Sequence, residues 1–536
     1  MGNPPFVGYG LQSKEQKDDI MNLFVDEKGK PYKTAGKIDY VAGWYYKAAM
    51  LTKNKKTRAA LVSTNSITQG EQVAAIWEPL KKLFGIHIDF AHRTFKWNSE
   101  ATLKAHVHCV ILGFSTVDGI TKFIYDNDRT NEAKNINAYL VDAEDVFVSS
   151  RSKPICNVPI MTTGNRPADG GHLIIEADEY EEFVRKEPEA IKYIKRLTGA
   201  QEYINNKPRY CLWLKDVSPS QLRSMPLVME RVKACRDDRL QGAPDRQKLA
   251  DTPWLFRETN NYEHYIIVPA VSSEKRKYIP LGFMDKDTIP TNLVQIIPDA
   301  TLYHFGVLTS NVHMAWMRAV CGRLKSDYRY SKDIVYNNFP WPSGGDTSEC
   351  RQNNGGDTSE YCKNNGGDTS ECRQNNGGDA SECCPNNSGD TSECCPNDGG
   401  DTSECRQNNG DDTPECRQNN DGDTSECCKN NGGDTSECRK NKGGDISSVG
   451  ASDTCKCRRL IEQTAQAILD ARALYPDSSL ADLYDELTMP HELRRAHQDN
   501  DRAVMQAYGF STKMTESECV AELFKLYQKL TGNQRL

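Results

Sequence analysis

A tandem repeat of eleven residues divides this chain of 536 residues and limits which parts of it can fold. Nine copies of GGDTSECRQNN, with variations, run from Gly344 to Lys442. The repeats contain almost no aliphatic side chains, so they cannot bury enough apolar surface to offset the ordering of their backbone. We expect a disordered, flexible linker over residues 344–454. The folded domains should then consist of the residues before and after this linker.

Twelve of the twenty cysteines lie in this repeat, and three interpretations of them remain open. The first is a disordered segment with reduced thiols. The second is adventitious binding of a soft metal by adjacent thiols such as Cys383 and Cys384. The repeat has no pair of Cys-x-x-Cys motifs that would indicate a zinc module. The third is a calcium-binding solenoid, which is disfavoured because the repeats lack an apolar residue to fill its core. We therefore predict no metal site.

Net charge is consistent with a nucleic-acid-binding protein only after the repeat is set aside. Residues 344–447 contain 22 acidic and 9 basic residues, a net charge of −13, whereas the remainder has 58 basic and 53 acidic residues, a net charge of +5. A mildly basic body is compatible with DNA contact. The chain has no run of about eighteen apolar residues and no signal peptide, so we expect a cytoplasmic protein of roughly three or four domains with no membrane contact.

Hydrophobic spacing before residue 115 predicts alternating helices and strands. Residues 39–53 and 71–84 have apolar side chains at helical spacing, and residues 58–63 form a short apolar strand that ends in a polar loop. Two further strand-like runs, 86–90 and 106–114, are joined by a segment that contains two aromatic residues. This order is typical of the second half of a doubly wound α/β domain.

Asn3-Pro4-Pro5-Phe6, at the start of the chain, is a candidate catalytic tetrapeptide. A side-chain amide oxygen and a backbone carbonyl can accept both hydrogens of an exocyclic amine, and two prolines fix φ so that these acceptors stay aimed. Asn3 and the carbonyl of Pro4 would be this pair. Phe6 offers a ring face to a base flipped out of the duplex. A structural Pro-Pro turn is the alternative interpretation.

With these motifs, the chain resembles the adenine-specific DNA methyltransferases of the MmeI-like, type IIL restriction–modification family. Residues 2–150 resemble the back half of the methyltransferase domain, residues 303–342 the end of the target-recognition domain, and residues 470–509 the C-terminal helical domain. The resemblance implies adenine-N6 methylation of double-stranded DNA with S-adenosylmethionine as cofactor. It also implies a fold with part of a Rossmann-like domain (1–150), an α+β recognition domain (151–343), and a small helical domain (455–536).

The chain departs from the family pattern at its start. The glycine-containing cofactor loop and the acidic residue of such enzymes precede the tetrapeptide, but here only Met1 and Gly2 precede it. We therefore expect an N-terminally truncated enzyme whose cofactor-binding residues are unknown. A separate polypeptide would have to carry the missing half. The alternative is a catalytically inactive DNA-binding remnant, or a specificity module for another polypeptide.

Two aromatic residues and two histidines near the hairpin are further candidates. In the family that the chain resembles, an aromatic side chain before the last hairpin strand stacks on the flipped adenine. Phe95 or Trp97 could have this role, and a structural role in capping the sheet is the alternative. His106 and His108 alternate along one strand, but no nearby carboxylate or cysteine completes a metal site, which favours ordinary strand histidines.

The recognition region mixes strand-like runs, at 210–214 and 264–269, with basic loops. Lysine and arginine side chains position phosphates, while base recognition needs bidentate contacts in a groove. The candidate DNA-binding residues are Arg257, Arg323, Lys325 and Arg329. A solvated charged loop is the alternative for each of them.

Residues after the repeat show a helical pattern throughout. A helix is predicted over 459–475, a second apolar stripe begins at Leu480, and Thr515 with Glu518 forms a capping box before the last helix. We expect this small bundle to pack on the recognition domain and to carry no chemistry.

Overall fold

The computed structural model describes residues 1–98, 106–126, 129–342 and 451–532. The described residues 1–342 and 456–532 belong to one compact unit. The repeat from Gly344 to Lys442 lies outside the described residues, so its predicted disorder and the interpretations of its cysteines stay predictions. No helix within the described ranges is both long and apolar enough to cross a membrane.

Three helices lie in the first 84 residues, and two of them match the predicted helices. The first, α1 (Lys14–Leu23), begins at a capping box in which Ser13 Oγ accepts a hydrogen bond from the backbone N–H of Gln16 at 3.2 Å. The predicted helices appear as α2 (Ala42–Thr52) and α3 (Gly70–Phe84). The buried residues of α2 and α3 share one hydrophobic core with the residues of a sheet.

That sheet has five strands. They are β1 (Ala59–Thr64), β2 (His87–Asn98), β3 (His106–Ser115), β4 (Lys122–Asp126) and β5 (Arg129–Ala133). Their order is β1–β3–β2–β4–β5. Both β1 and β2 run antiparallel to β3, so they are parallel to each other, and β4 is parallel to β2. The α/β prediction for this region is confirmed, with α3 as the helical crossover between β1 and β2.

One strand limit was predicted wrongly. The segment of Phe95 and Trp97 was expected to join two strands, but it is itself the second half of β2. Phe95 pairs with Cys109 and Trp97 with Val107 across the antiparallel ladder, after a register shift that begins at His92. The alternation of Phe95 and Trp97 with polar neighbours is a strand pattern of period two, which the prediction of a connecting segment did not take into account.

Helices α2 and α3 cover one face of this sheet. The ring of Tyr45 stacks on Phe114 with centroids 5.5 Å apart, and Trp77 meets Tyr45 edge-on at 5.5 Å. The Trp77 indole donates to the Ile67 carbonyl at 2.8 Å, so its polar atom is satisfied within the core. Burial raises the pKa of Tyr45, whose hydroxyl lies 3.1 Å from Ser63 Oγ. The end of β1 is thereby fixed to the helical layer.

The recognition region adds eleven short strands in three sheets. The strands are β6 (Thr162–Thr163), β7 (Ile174–Glu176), β8 (Ile194–Thr198), β9 (Arg209–Leu212), β10 (His264–Pro269), β11 (Val271–Ser272), β12 (Gly282–Asp285), β13 (Thr288–Pro290), β14 (Val294–Pro298), β15 (Gly322–Leu324) and β16 (Asp327–Arg329). Their orders are β12–β10–β14–β6, β13–β8–β9–β7 and β11–β16–β15. The strands predicted at 210–214 and 264–269 correspond to β9 and β10.

Helices complete the α+β character of this region. They are α4 (Ala177–Lys186), α5 (Ala200–Ile204), α6 (Pro219–Arg223), α7 (Pro226–Leu240), α8 (Pro244–Gln247), α9 (Leu302–Leu308) and α10 (Asn311–Val320). Every residue of α9 except Leu302 is buried, as are most residues of α10. These two helices therefore form the centre of the recognition region's contact with its neighbours.

The residues after the repeat form helices, as predicted. Their bounds are Ala451–Ala473, Leu480–Leu483, His491–Ala507 and Glu516–Thr531. The capping box of Thr515 and Glu518 is present, and the last helix ends at Gly532 with φ 66°. The helix His491–Ala507 was not predicted separately, because polar side chains, His497, Asn500 and Asp501, occupy its buried face.

The C-terminal helices pack on the recognition domain, as predicted, and also on the five-stranded half-domain. Trp316 of α10 is fully buried, with Phe524 at 5.6 Å and Tyr527 at 5.9 Å between ring centroids. Phe524 also lies 5.1 Å from Tyr139 of the half-domain. One aromatic cluster thus joins all three parts of the described unit.

A buried carboxyl at this junction predicts a pH dependence of stability. Asp501 accepts from the Tyr278 hydroxyl and from the Asn311 backbone N–H, both at 2.7 Å, and burial raises its pKa to about 6. Because the folded pKa exceeds the unfolded value, the native state binds the proton more tightly. The contribution of this group to stability therefore falls as the pH rises from about 4 to 6.

From pH 7 to pH 5, the wild-type protein should gain roughly 1 kcal/mol of unfolding free energy that the Asp501→Asn variant does not gain. Urea denaturation of both proteins at each pH measures this difference. An identical pH dependence of the two proteins would show that Asp501 titrates normally in the native state.

Candidate active site

The tetrapeptide is held at the edge of the five-stranded sheet by backbone pairing. The Gly2 N–H donates to the Ala60 carbonyl and the Val62 N–H donates to the Gly2 carbonyl, both at 3.0 Å. This bridge to β1 is parallel. Asn3 follows it with an exposed side chain, and Pro4 is buried. The pairing therefore fixes the backbone directly before the predicted amine acceptors.

A buried carboxylate ties the segment after Phe6 to the loop that follows β1. Asp39 Oδ1 accepts from the Tyr9 backbone N–H at 2.9 Å, and Asp39 Oδ2 accepts from Ser66 Oγ at 2.6 Å. The Tyr40 N–H donates to the Val7 carbonyl at 2.9 Å. These bonds fix both ends of the tetrapeptide on the framework of β1 and α2.

Replacement of Asp39 with alanine should lower the free energy of unfolding by about 2 kcal/mol. The Tyr9 N–H and the Ser66 hydroxyl would lose their acceptor, and Asp39 is only 8% exposed. Urea denaturation measures the loss. Asp18→Ala, at an exposed position of α1, is the control and should change stability by less than about 0.5 kcal/mol. Equal effects of the two substitutions would contradict a structural role for Asp39.

A cleft of about 1280 Å³ lies beside this loop. One wall comes from the half-domain and includes Phe6, Tyr9, Asp39 and Ser66; the other comes from the hairpin of β15 and β16 and the residues after it. Three of the four candidate DNA-binding residues line the cleft, namely Arg323, Lys325 and Arg329. The structure therefore brings Phe6 and the predicted cationic group together.

Two glycines set the distance between the walls. Gly70 begins α3 with φ 56°, and a Cβ at this position would lie 3.3 Å from the backbone of Gly322. A side chain at Gly70 would be strained by this φ and crowded by the hairpin. The close approach holds β15 against the start of α3.

The three cations of the hairpin have different surroundings. Arg323 is largely enclosed: its guanidinium lies 4.0 Å from the Tyr328 ring centroid and donates to the Ser326 carbonyl at 3.0 Å. Lys325 and Arg329 are exposed. Arg323 thus stabilises the hairpin, while Lys325 and Arg329 are free to meet a phosphate.

The predicted base-stacking residues lie next to this cleft but do not line it. Lys96, between them on β2, does line it, together with Val107 and His108 of β3. The ring centroids of Phe95 and Trp97 are 6.1 Å apart, and Trp97 is 44% exposed. Their role in stacking on a base stays a prediction.

Arg257, the fourth candidate DNA-binding residue, does not line the cleft. Its Nε lies 3.3 Å from a carboxylate oxygen of Glu258, and its backbone N–H donates to the Arg166 carbonyl at 3.0 Å. It stays a predicted DNA contact on another part of the recognition domain.

Neither a metal centre nor a cysteine nucleophile emerges near the cleft. Within the described residues, no group of three or more His, Cys, Asp or Glu side chains could hold a metal ion. The side chain of His106 lies outside the described residues. The Nε2 atom of His108 is buried and has no hydrogen-bond partner among the described residues. Burial raises the pKa of Cys321 to about 11, so its thiol is protonated at neutral pH.

Sequence reasoning missed several residues of the cleft. Lys96 and His108 pair across β2 and β3, and Asp39 and Ser66 are joined by a hydrogen bond. The position of Lys96 could have been recognised from its alternation with the two aromatic residues. No local pattern signals the contact of Asp39 with Ser66, because the two residues lie on different loops.

Comparison with known proteins supports the assignment of the methyltransferase, recognition and C-terminal domains. Three family models match: the MmeI DNA-methyltransferase domain over residues 1–126, the MmeI target recognition domain over 142–343, and the MmeI C-terminal domain over 454–534. The chain belongs to the MmeI family. The cleft therefore lies between the MmeI methyltransferase domain and the MmeI target recognition domain.

Two relatives agree with this assignment. DNA methyltransferase A of Bacillus subtilis (strain 168) is 44% identical over 345 residues, which are 64% of this chain and 38% of that protein. The type IIL restriction–modification enzyme MmeI, solved in complex with DNA, matches with a TM-score of 0.72 and 36% identity over 99% of this chain and 57% of that one. The chain thus spans less than two thirds of either relative.

Proposed function

We propose that this chain forms part of an adenine-N6 DNA methyltransferase of a restriction–modification system, namely the half that contacts the target base. The observation that carries the proposal is the cleft, which places Phe6 opposite the exposed cations Lys325 and Arg329. A flipped base would enter between these walls while its flanking phosphates contact the recognition domain. Because the substrate is cellular DNA, the activity would be cytoplasmic.

The tetrapeptide would act on the target amine. The Asn3 side-chain oxygen and the Pro4 carbonyl accept the two amine hydrogens, which localises the nitrogen lone pair for attack on a methyl group. Phe6 stacks on one face of the adenine, and Phe95 or Trp97 would contact the other face. The bridge of Gly2 to β1 supports this role because it limits movement of the acceptors.

S-adenosylmethionine would supply the methyl group, but the described cleft residues do not fit this cofactor by themselves. A nucleoside-binding site of a doubly wound domain uses a free carboxylate for the ribose hydroxyls. Here Asp39 accepts from Tyr9 and Ser66, and Glu71 pairs with Lys37 at 3.1 Å. We therefore propose that a separate polypeptide provides the cofactor-binding half.

Transfer of a labelled methyl group from S-adenosylmethionine to mixed-sequence DNA tests the proposal. The chain is assayed alone and with the part of DNA methyltransferase A that lies outside the 345 matched residues. We expect incorporation only with both polypeptides. Incorporation by the chain alone would contradict the need for a second polypeptide, and none in either case would favour a DNA-binding remnant or specificity module.

A further inference from the structure

A β-bulge in β2 sets the direction of Lys96. Before the bulge Ala91 pairs with Leu112 of β3, and after it Lys96 pairs with His108. Leu112 and His108 are four positions apart and therefore lie on one face of the sheet. Ala91 and Lys96 are five positions apart, so the extra residue of the bulge brings Lys96 to this same face. Without the bulge, Lys96 would lie on the opposite face.

Side-chain hydrogen bonds hold the bulge in place. Its residues are Arg93 and Thr94. The Arg93 guanidinium donates to the Leu140 carbonyl at 3.0 Å and to Asp126 Oδ2 at 2.9 Å. Thr94 Oγ1 accepts from Asn65 Nδ2 at 3.5 Å. The bulge is thus tied to three other segments of the chain, so the direction of Lys96 is built into the fold.

Lys96 is an exposed cation that lines the cleft and has no ion pair within the described part of the chain. The two acidic residues that line the cleft have other partners. Asp39 Oδ2 accepts from Ser66 Oγ at 2.6 Å, and Glu71 pairs with Lys37 at 3.1 Å. Lys96 therefore adds an unpaired positive charge to the methyltransferase wall of the cleft.

Neutral donors lie next to Lys96. His108, its partner across the ladder, also lines the cleft, and its buried Nε2 atom has no hydrogen-bond partner in the described ranges. Asn65 lines the cleft as well and donates to Thr94, two positions before Lys96 on the same side of β2. The Asn65 amide has a second N–H for another acceptor. An oxyanion with several acceptor oxygens can accept from all three groups.

We infer that Lys96, with His108 and Asn65 as neighbouring donors, binds a backbone phosphate of duplex DNA. A cation with side-chain amide and ring N–H donors is a combination that proteins use to position the DNA backbone. Lys325 and Arg329 lie on the hairpin wall and Lys96 on the methyltransferase wall, so a duplex in the cleft is held from both sides. The choice of DNA as ligand rests on the proposed function, and the phosphate contact of the methyltransferase domain goes beyond it.

Titration of labelled mixed-sequence duplex DNA with the full chain, at several salt concentrations, tests the contact. Lys96→Ala should weaken binding roughly fivefold at 0.1 M salt and lower the slope of log affinity against log salt by about 1. Lys47→Ala removes the same charge from an exposed position of α2 that does not line the cleft, and should leave the slope unchanged. Lys96→Arg keeps the charge and should retain the wild-type slope.

A triple variant tests whether Lys96 has a phosphate of its own. Lys96→Ala, added to Lys325→Ala and Arg329→Ala, should lower the slope by about 1 more than the double variant does, since contacts with separate phosphates add. Circular dichroism and the urea midpoint should match those of the wild type, because Lys96 is exposed.

Each result decides for or against the contact. Equal slopes of Lys96→Ala and Lys47→Ala, or of the triple and the double variant, would overturn the inference. A slope lowered equally in Lys96→Arg would also overturn it, because the effect would then not follow the charge. The expected slopes without methyl transfer in the two-polypeptide assay would keep the phosphate contact and reject the proposed function. No DNA binding by the wild-type chain would reject both.

Discussion

Alanine at Asn3 is expected to lower methyl transfer by about 100- to 1000-fold in the two-polypeptide assay, with unchanged DNA affinity. The variant removes one of the two acceptors that hold the target amine, and loss of one preorganised polar group in an active site has an effect of this size. The exposed Asn3 side chain makes no core contact, so stability should be unaffected. Single-turnover rates with saturating DNA measure the chemical step, and fluorescence anisotropy measures DNA binding.

Asn22→Ala is the control for this prediction. Asn22 is exposed on α1, so its replacement should leave the methylation rate within about twofold of wild type. A normal rate in Asn3→Ala would exclude the tetrapeptide from catalysis. Equal losses of rate and of DNA affinity would instead indicate that Asn3 contributes to DNA binding.

The second large effect concerns the exposed cations of the hairpin. Removal of Lys325 and Arg329 together, as the double alanine variant, should weaken DNA binding roughly 50-fold at 0.1 M salt. The slope of log affinity against log salt should fall by about 2, because each lost phosphate contact releases about one counterion less. Titration of labelled duplex DNA at several salt concentrations measures both quantities.

A double variant with the same charge change provides the control. Lys47→Ala with Lys56→Ala removes two exposed lysines that do not line the cleft, and should leave the salt slope unchanged. If the two double variants gave equal slopes, DNA would not enter the cleft past the hairpin. Arg323→Lys should lower stability rather than the slope, because Arg323 is enclosed by Tyr328 and Ser326.

Local patterns in the sequence were sufficient for much of the fold. The spacing of apolar residues predicted α2, α3 and β1, and the capping box of Thr515 and Glu518 predicted the start of the last helix. Each of these signals lies within one element, where short-range spacing indicates the type of the element. The MmeI resemblance placed the methyltransferase, recognition and C-terminal domains, although their limits at residues 150, 343 and 454 remain predictions.

Contacts between distant segments were not predictable in this way. Lys96 was missed as a cleft residue because its strand was taken for a loop. The general helical pattern after the repeat did not give the bounds of the helix His491–Ala507, because Asp501 on its buried face pairs with Tyr278, more than 200 positions away. Arg323 was grouped with two phosphate-binding candidates, although stacking on Tyr328 encloses it. In each case the tertiary partner, absent from the local sequence, decides the role of the residue.

Identification of the methylated nucleoside tests the central claim most directly. DNA treated with the chain, the second polypeptide and S-adenosylmethionine is digested to nucleosides and analysed by mass spectrometry. Orientation of an adenine amine by Asn3 and Pro4 predicts N6-methyladenine, lost in the Asn3→Ala variant. Methylated cytosine, or N6-methyladenine that persists in Asn3→Ala, would contradict the claim that this tetrapeptide acts on adenine.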